Sequence, residues 1–155
     1  MDRIGILLNS LENSQLTFYL VNNANFMMES KLDSYFIFFI DNIGPSILQP
    51  LCPIMNSGEV AQFNNGIIIA TTINHTLTAI NSISNSKIKF YVWDLEWIRK
   101  PSDFFNNIKA FRDPRVEVIA RSYDHAKAIA NYANIPTPRV VEYCNISEII
   151  YDKIQ

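Results

Sequence analysis

KFYVWDLEW, residues 89–97, is an apolar run that ends in two acidic residues placed between two tryptophans. Its first part is rich in aromatic and β-branched side chains, which are typical of a buried strand. Asp94 follows directly and marks the end of that strand. Because ligands of open α/β sheets bind outside the carboxyl ends of the strands, Asp94, Glu96 and Trp97 are predicted to lie at a binding site.

Two interpretations of this segment stay open at the level of sequence. In the first, Trp93 and Trp97 are core aromatics and Asp94 caps the following helix. In the second, the two acids serve a site and both tryptophans stack on a ligand ring, since aromatic faces bury the apolar C–H surface of a sugar.

Strands and helices alternate through the rest of the chain. Short apolar runs predict six strands, at residues 3–8, 34–40, 66–70, 89–93, 115–120 and 139–142. Amphipathic spacing and capping residues predict helices at residues 15–30, 55–63, 72–83, 101–111, 122–134 and 147–154. We therefore predict an α/β fold: a doubly wound, mostly parallel, six-stranded Rossmann-like sheet with helices on both faces.

The order of the strands decides which loops meet. Right-handed crossovers favour the order 3-2-1-4-5-6, in which the first and fourth strands are neighbours. The loop at residues 9–14 then faces residues 94–97 across a crevice. Asn9, Ser10 and Asn13 are for this reason predicted to contact a ligand.

Composition limits the classes of protein that fit. The 155 residues, 48% of them hydrophobic and 18% charged, indicate one compact domain, residues 1–155. A net charge of -2 argues against unaided binding to nucleic acid or to anionic membranes. No apolar stretch reaches the roughly 18 residues of a membrane span, so we expect a soluble protein. Cys52 and Cys144 form no C-x-x-C motif and indicate a reduced, intracellular chain.

Several familiar chemistries lack their motifs. The loop at residues 9–14 contains no glycine, which excludes the dinucleotide fingerprint, and neither a P-loop nor a G-x-S-x-G elbow is present. His75 and His125 each lack a metal ligand one helical turn away, so we predict no metal and no cofactor. His75 is expected on the surface. His125 follows Arg121 and Ser122 at the end of the fifth strand, and these three residues join the candidate site.

Four segments carry a resemblance to a known family: IGILLNS at residues 4–10, LTFYLVNNANFM at 16–27, YVWDLEW at 91–97, and EVIARSYDHAKAIANYANIPTPRVVEYCNI at 117–146. They resemble the amino-terminal Rossmann-like half of GT-B glycosyltransferases, and especially the short glycosyltransferase-like proteins of T-even-type phages and cyanophages. In that fold the first half binds the acceptor, the second half binds the nucleotide sugar, and the reaction occurs between them.

The resemblance implies roles for individual residues. Asp94 or Glu96 would be the base on the acceptor side, and Arg121 would stabilise charge. Ser122 matches the polar end of the fifth strand, and Asn145 matches an asparagine in the segment that leads toward the hinge of the family.

The resemblance also implies an activity and partners. We expect a phage protein of the bacterial cytoplasm that is not catalytic alone and acts as a binding or accessory module. The alternative is an active subunit that transfers sugar from a nucleotide sugar when paired with a donor-binding partner. The expected ligands are a nucleotide sugar or a sugar acceptor, and the expected partner is a second copy or another protein, with no membrane and no nucleic acid.

Overall fold

In the computed structural model, which describes residues 2–30, 34–46, 48–83 and 85–151, seven strands form one parallel sheet. The strands are β1 (Asp2–Ser10), β2 (Ser34–Asn42), β3 (Ile54–Asn56), β4 (Ile67–Ala70), β5 (Lys87–Val92), β6 (Val116–Ala120) and β7 (Arg139–Val140). Their spatial order is β3-β2-β1-β4-β5-β6-β7, and each neighbouring pair is parallel. The predicted α/β class with a parallel Rossmann-like sheet is confirmed.

Helices connect most of the strands. They are α1 (Gln15–Glu29), α2 (Ile73–Ser82), α3 (Phe104–Arg112), α4 (Tyr123–Ala133) and α5 (Ile146–Ile150), with 3-10 turns at Ser57–Gln62, Glu96–Ile98, Pro101–Asp103 and Glu142–Cys144. Thr72 and Ser122 cap α2 and α4 by accepting hydrogen bonds from backbone N–H groups in the first turn, as residues of these types do.

Two helix starts differ from the prediction. Ser102 lies inside a 3-10 turn, and α3 begins after it, at Phe104. The last helix begins at Ile146 because Asn145, and not Ser147, accepts the hydrogen bond from the Glu148 amide. The predicted end of this helix falls at residues 152–154, outside the described residues.

Apolar helix faces cover both sides of the sheet. In β1, Ile6 and Leu8 pack in the cluster formed with α1 and α5, whereas Leu7 packs in the opposite cluster with α2. Helices α3 and α4 cover β5 and β6 on the same side as α2. Because both faces of β1 are buried, its sequence is a continuous aliphatic run without alternation. The prediction of helices on both faces is confirmed.

The strand count and the neighbour relations differ from the prediction. Residues 54–56 form the edge strand β3 beside β2, where the sequence predicted a loop and the start of a helix. The predicted third strand, β4, lies between β1 and β5 and not beside β2. Ile68, Ile69 and Ala70 of β4 are completely buried, which a central position provides and an edge position does not.

This order brings three loops together at the carboxyl edge of the sheet. They follow β1, β4 and β5, which are adjacent strands. Thr71 fastens two of the strands, since its hydroxyl donates to the Leu7 carbonyl at 2.9 Å in a buried position. The prediction that the first and fourth predicted strands, which are β1 and β5, are direct neighbours is wrong, because β4 lies between them. The loop after β1 nevertheless meets the segment after β5, with Thr71 and Thr72 between them.

Candidate functional site

A cavity of about 360 Å³ opens at the carboxyl ends of β1, β4 and β5, and we call it the polar pocket. Its polar lining consists of Asn9, Ser10, Glu12, Asn13, Ser14, Thr17, Thr71, Thr72, Asp94, Glu96 and Arg99, and Trp93 forms part of its wall. The structure thus brings together six of the residues that the sequence selected, namely Asn9, Ser10, Asn13, Trp93, Asp94 and Glu96. The sequence analysis did not select Thr71 and Thr72, because it placed β4 elsewhere in the sheet.

Like Glu12, Asp94 is an exposed acid of this pocket. Its carboxylate makes no hydrogen bond and no ion pair within the part of the chain that the structure describes. The first interpretation assigned it to a helix cap, but the 3-10 turn that follows starts after Leu95 and has no side-chain cap. The Asp94 carboxylate is therefore available to a ligand.

Glu96 is half-buried and is tied to a helix. Its Oε1 accepts a hydrogen bond from the Ile73 amide at 2.9 Å, at the first residue of α2. Burial is the largest influence on its carboxyl and raises the pKa of Glu96, the hydrogen bond from Ile73 opposes this rise, and the negative charge of Asp94 adds to it. Asp94 and Glu96 therefore form a pair of carboxyl groups in unlike environments, since Asp94 is exposed and Glu96 is half-buried and accepts a backbone hydrogen bond.

Arg121, Ser122 and His125 form a cluster at the carboxyl end of β6. The guanidinium carbon of Arg121 lies 4.7 Å from the ring centroid of Trp93, and its Nε donates to His125 Nε2 at 3.3 Å. Ser122 accepts from the His125 amide as the cap of α4. Burial, and then the positive charge of Arg121, lower the pKa of His125, so this imidazole is neutral at neutral pH. Trp93 connects the cluster to the polar pocket.

A second cavity, of about 190 Å³, adjoins the first across Trp93, and we call it the aromatic slot. Its lining consists of Gln15, Tyr19, Trp93, Arg121, Glu142 and Tyr143. The sequence analysis did not select Tyr19, Glu142 or Tyr143. The sequence pattern assigned Tyr19 to the apolar face of α1. Only its position near the carboxyl edge of the sheet could have identified it as a site residue.

Asn145 lies apart from the polar pocket. It caps α5 and lines a third cavity of about 420 Å³ together with Tyr19, Tyr143 and other residues. Its side chain thus has a structural partner in the Glu148 amide, at 3.4 Å. A ligand in the polar pocket would not reach it directly, since neither the lining of that pocket nor that of the aromatic slot includes Asn145.

Trp97 does not belong to the site. It is 9% exposed and stacks on Tyr132, with ring centroids 4.4 Å apart and an interplanar angle of 9°. Its edge also meets Phe111 in the core beneath α3. The prediction that Trp97 contacts a ligand is wrong, because these rings of the core cover it, and the first interpretation holds for this residue.

His75 is buried, contrary to the prediction that it lies on the surface. It is 4% exposed, and its Nε2 lies 2.9 Å from an oxygen of Asp41, at the end of β2. Burial alone would raise the pKa of Asp41, but hydrogen bonds from Ser57 and His75 outweigh burial and lower it. The pair therefore links β2 to the first turn of α2 as a structural contact.

Other kinds of site have little support in the described ranges. No group of three or more histidine, cysteine or acidic side chains is placed there to hold a metal ion. Cys52 and Cys144 are both buried, and burial raises the pKa of the Cys52 thiol to about 11 and that of Cys144 to about 12, so both are protonated at neutral pH. None of the helices described combines the length and the apolarity that crossing a bilayer requires.

The groove that runs from the polar pocket across Trp93 to the aromatic slot offers hydroxyl, amide and carboxylate groups, aromatic faces and the guanidinium groups of Arg99 and Arg121. These are the groups that bind polar ring compounds. Any functional assignment has to rest on this geometry and on the segments quoted above. Comparison of the chain with protein-family models, with curated proteins and with solved structures finds no match.

Proposed function

We propose that this chain is a glycosyltransferase-like binding module that holds a small, neutral, polyhydroxylated ligand such as a sugar, and that it does not transfer sugar alone. The observation that carries the proposal is the lining of the polar pocket, where the Asp94 carboxylate, which has no partner among the described residues, lies among amide and hydroxyl side chains. Sugar hydroxyl groups both donate and accept hydrogen bonds. A carboxylate can accept hydrogen bonds from two sugar hydroxyls, and neutral amide and hydroxyl side chains can form hydrogen bonds with the remaining ones.

The charge of the pocket selects against anionic ligands. Among the residues that the structure describes, Glu12, Asp94 and Glu96 line it together with one basic residue, Arg99. A phosphate group would meet net negative charge, whereas a neutral polyol would not. The cavity of about 360 Å³ is at the small end of the range for ligand pockets and suits a ligand of one or two rings.

The resemblance to the acceptor-binding half of GT-B enzymes supports the same class of ligand. The segment at residues 91–97, which carries part of that resemblance, supplies Trp93, Asp94 and Glu96 to the polar pocket. A sugar acceptor bound there would place a hydroxyl beside the exposed carboxylate.

Calorimetric titration of the purified chain with neutral monosaccharides and disaccharides, and with their phosphorylated forms, tests the proposal. We expect a neutral sugar to bind, and Asp94→Asn to weaken that binding roughly 10- to 100-fold through the loss of a charged hydrogen bond. Glu29→Gln, at the exposed end of α1, is the control and should leave the affinity unchanged. Tighter binding of the phosphorylated sugars, or equal affinity in Asp94→Asn, would count against the assignment.

The second candidate is an active transferase subunit. It is favoured by the Asp94 and Glu96 pair, since an ionised Asp94 could accept the proton of an acceptor hydroxyl within hydrogen-bond reach. Incubation with nucleotide sugars and acceptors, with and without a donor-binding partner protein, separates the two. Turnover that Asp94→Asn abolishes would support the subunit, and turnover by the chain alone would refute the non-catalytic proposal.

A further inference from the structure

Three aromatic rings from three different elements line the aromatic slot. Tyr19 of α1 meets Tyr143 edge to face, with centroids 5.7 Å apart at 67°, and meets Trp93 at 6.4 Å and 61°. The cavity that they bound with Gln15, Arg121 and Glu142 measures about 190 Å³. For comparison, an apolar protein cavity of about 150 Å³ accommodates benzene. The slot thus has room for one flat ring system.

The slot also has hydrogen-bonding groups of both kinds. The two terminal nitrogens of Arg121 make no hydrogen bond to any of the described residues, since only its Nε is engaged, with His125. The carboxylate of Glu142 likewise has no hydrogen-bond partner there. Arg121 can only donate and Glu142, when ionised, can only accept. A hydrocarbon ring would desolvate both groups without satisfying either, whereas a nitrogen heterocycle with carbonyl and N–H edges pairs with both.

Tyr143 forms one wall of the slot and has an unfavourable backbone conformation. Tyr143 and Cys144 have φ angles of 53° and 49°, a left-handed conformation that is unfavourable for consecutive residues other than glycine. The buried hydroxyl of Tyr91 holds this turn by donating to the Val141 carbonyl at 2.8 Å and accepting from the Cys144 amide at 3.3 Å. Yet Tyr143 is 66% exposed, so folding gains little from its burial. A strained backbone that presents an exposed ring to a cavity is consistent with a ligand contact.

We propose that the aromatic slot binds a flat nitrogen heterocycle of the nucleobase class. Trp93 borders both the slot and the polar pocket, so a ligand that fills both carries its ring in the slot and its sugar in the polar pocket. The ligand class that combines these parts without a negative charge is a nucleoside. The sugar part of this inference rests on the proposed function, and the ring part does not.

The test is a titration of the full chain with free nucleobases, nucleosides and monosaccharides. Binding is monitored through the NMR signals of the backbone amides and the tryptophan indoles. Tyr143→Ala is the test variant, and Phe26→Ala is the matched control, because Phe26 is 65% exposed on α1 and lines neither cavity. We expect a nucleobase to shift the Trp93 indole signal, Tyr143→Ala to weaken its binding at least about 10-fold through lost stacking, and the control to bind as the original chain does. If Tyr143→Ala does not fold, Arg121→Gln takes its place with the same expectation.

The outcomes distinguish the two proposals. Binding of monosaccharides that Asp94→Asn weakens, without any binding of nucleobases or nucleosides, would overturn the slot assignment and leave the sugar pocket standing. Nucleobase binding that depends on Tyr143, with nucleosides binding no tighter than bases and no sugar binding, would support the slot and refute the sugar pocket. Equal nucleobase affinity in Tyr143→Ala and in the original chain would also overturn the inference.

Discussion

Glu96 serves both the polar pocket and helix α2. Its carboxylate lines the pocket and accepts the hydrogen bond of the Ile73 amide, one of the N–H groups at a helix start that have no partner within the helix. Asp94, two residues earlier, has no such structural partner among the described residues. The two acids of this short segment therefore have different roles, since Glu96 supports the fold and Asp94 is available to bind a ligand.

The first prediction tests whether Glu96 stabilises α2 through the hydrogen bond that it accepts or through its negative charge. Glu96→Ala removes the acceptor of the Ile73 amide and should lower the free energy of unfolding by about 1 kcal/mol, as lost helix caps do. Glu96→Gln keeps an oxygen at the same place and should preserve most of that stability. Urea unfolding of both variants is the measurement. Equal loss in the two would show that the charge, and not the hydrogen bond, supports α2.

The pH dependence of stability provides the second prediction. Burial raises the pKa of Glu96 in the folded chain above its ordinary value. The folded state then holds this proton more tightly than the unfolded state, so the contribution of Glu96 is fully present below the unfolded pKa and is lost as pH rises through the folded pKa. The variant Glu96→Gln has no carboxyl group to titrate at this position, so it does not lose this stability as the pH rises. Its stability relative to the original chain should rise as the pH increases above the ordinary pKa of a glutamate, and parallel pH profiles would contradict the assignment.

At the scale of elements, the turn at Glu142–Cys144 depends on β5. Tyr91 of β5 is completely buried, and burial raises the pKa of its hydroxyl, which therefore stays protonated and can donate. The Val141 carbonyl and the Cys144 amide both bond to this one group. The turn in its left-handed conformation is thus fixed by a strand 50 or more positions earlier in the chain.

Tyr91→Phe tests this dependence. It leaves a buried carbonyl and a buried amide without partners, so we expect a loss of about 1 to 3 kcal/mol in the free energy of unfolding and faster hydrogen exchange at the Cys144 amide. Tyr35→Phe is the control, because the hydroxyl of Tyr35 makes no hydrogen bond to a described residue. Unchanged exchange at Cys144 in Tyr91→Phe would mean that the turn is held by other contacts.

At the scale of the whole molecule, one sheet separates two apolar layers, and both are needed. Ile119 packs on the side of α1 and α5, and Val92 packs on the side of α3 and α4, and both are at most 1% exposed. Ile119→Ala and Val92→Ala should each lower the free energy of unfolding by about 1 to 4 kcal/mol through lost burial and a new cavity. Ile43→Ala, at a residue that is 95% exposed, should change it little.

Thermal and urea unfolding of these three variants tests the predicted stability changes and the cooperativity of the whole fold. If the sheet and both layers form one cooperative unit, circular dichroism and tryptophan fluorescence should report a single coincident transition in each variant. A core variant that unfolds one layer first, with separate transitions, would contradict a single cooperative domain.

The sequence by itself determined the fold class, because strand and helix periods are local properties and their alternation implies parallel strands with helical crossovers. It also determined that Asn9, Ser10, Asn13, Asp94 and Glu96 gather at one edge. That prediction held although the predicted neighbours of β4 were wrong, since the carboxyl ends of all parallel strands in one sheet lie at the same edge.

Only the tertiary structure decided the rest. Whether Trp97 and His75 are exposed depends on Tyr132 and Asp41, which lie at least 34 positions away, and no local pattern reports such contacts. The three residues of β3 are too few to show a strand period. Tyr19 meets both Trp93 and Tyr143 because α1, the segment after β5 and the turn at Glu142–Cys144 converge, and the aromatic slot exists only through that packing. Local chemistry specified the elements and their edge, whereas contacts between distant residues specified the shape of the site.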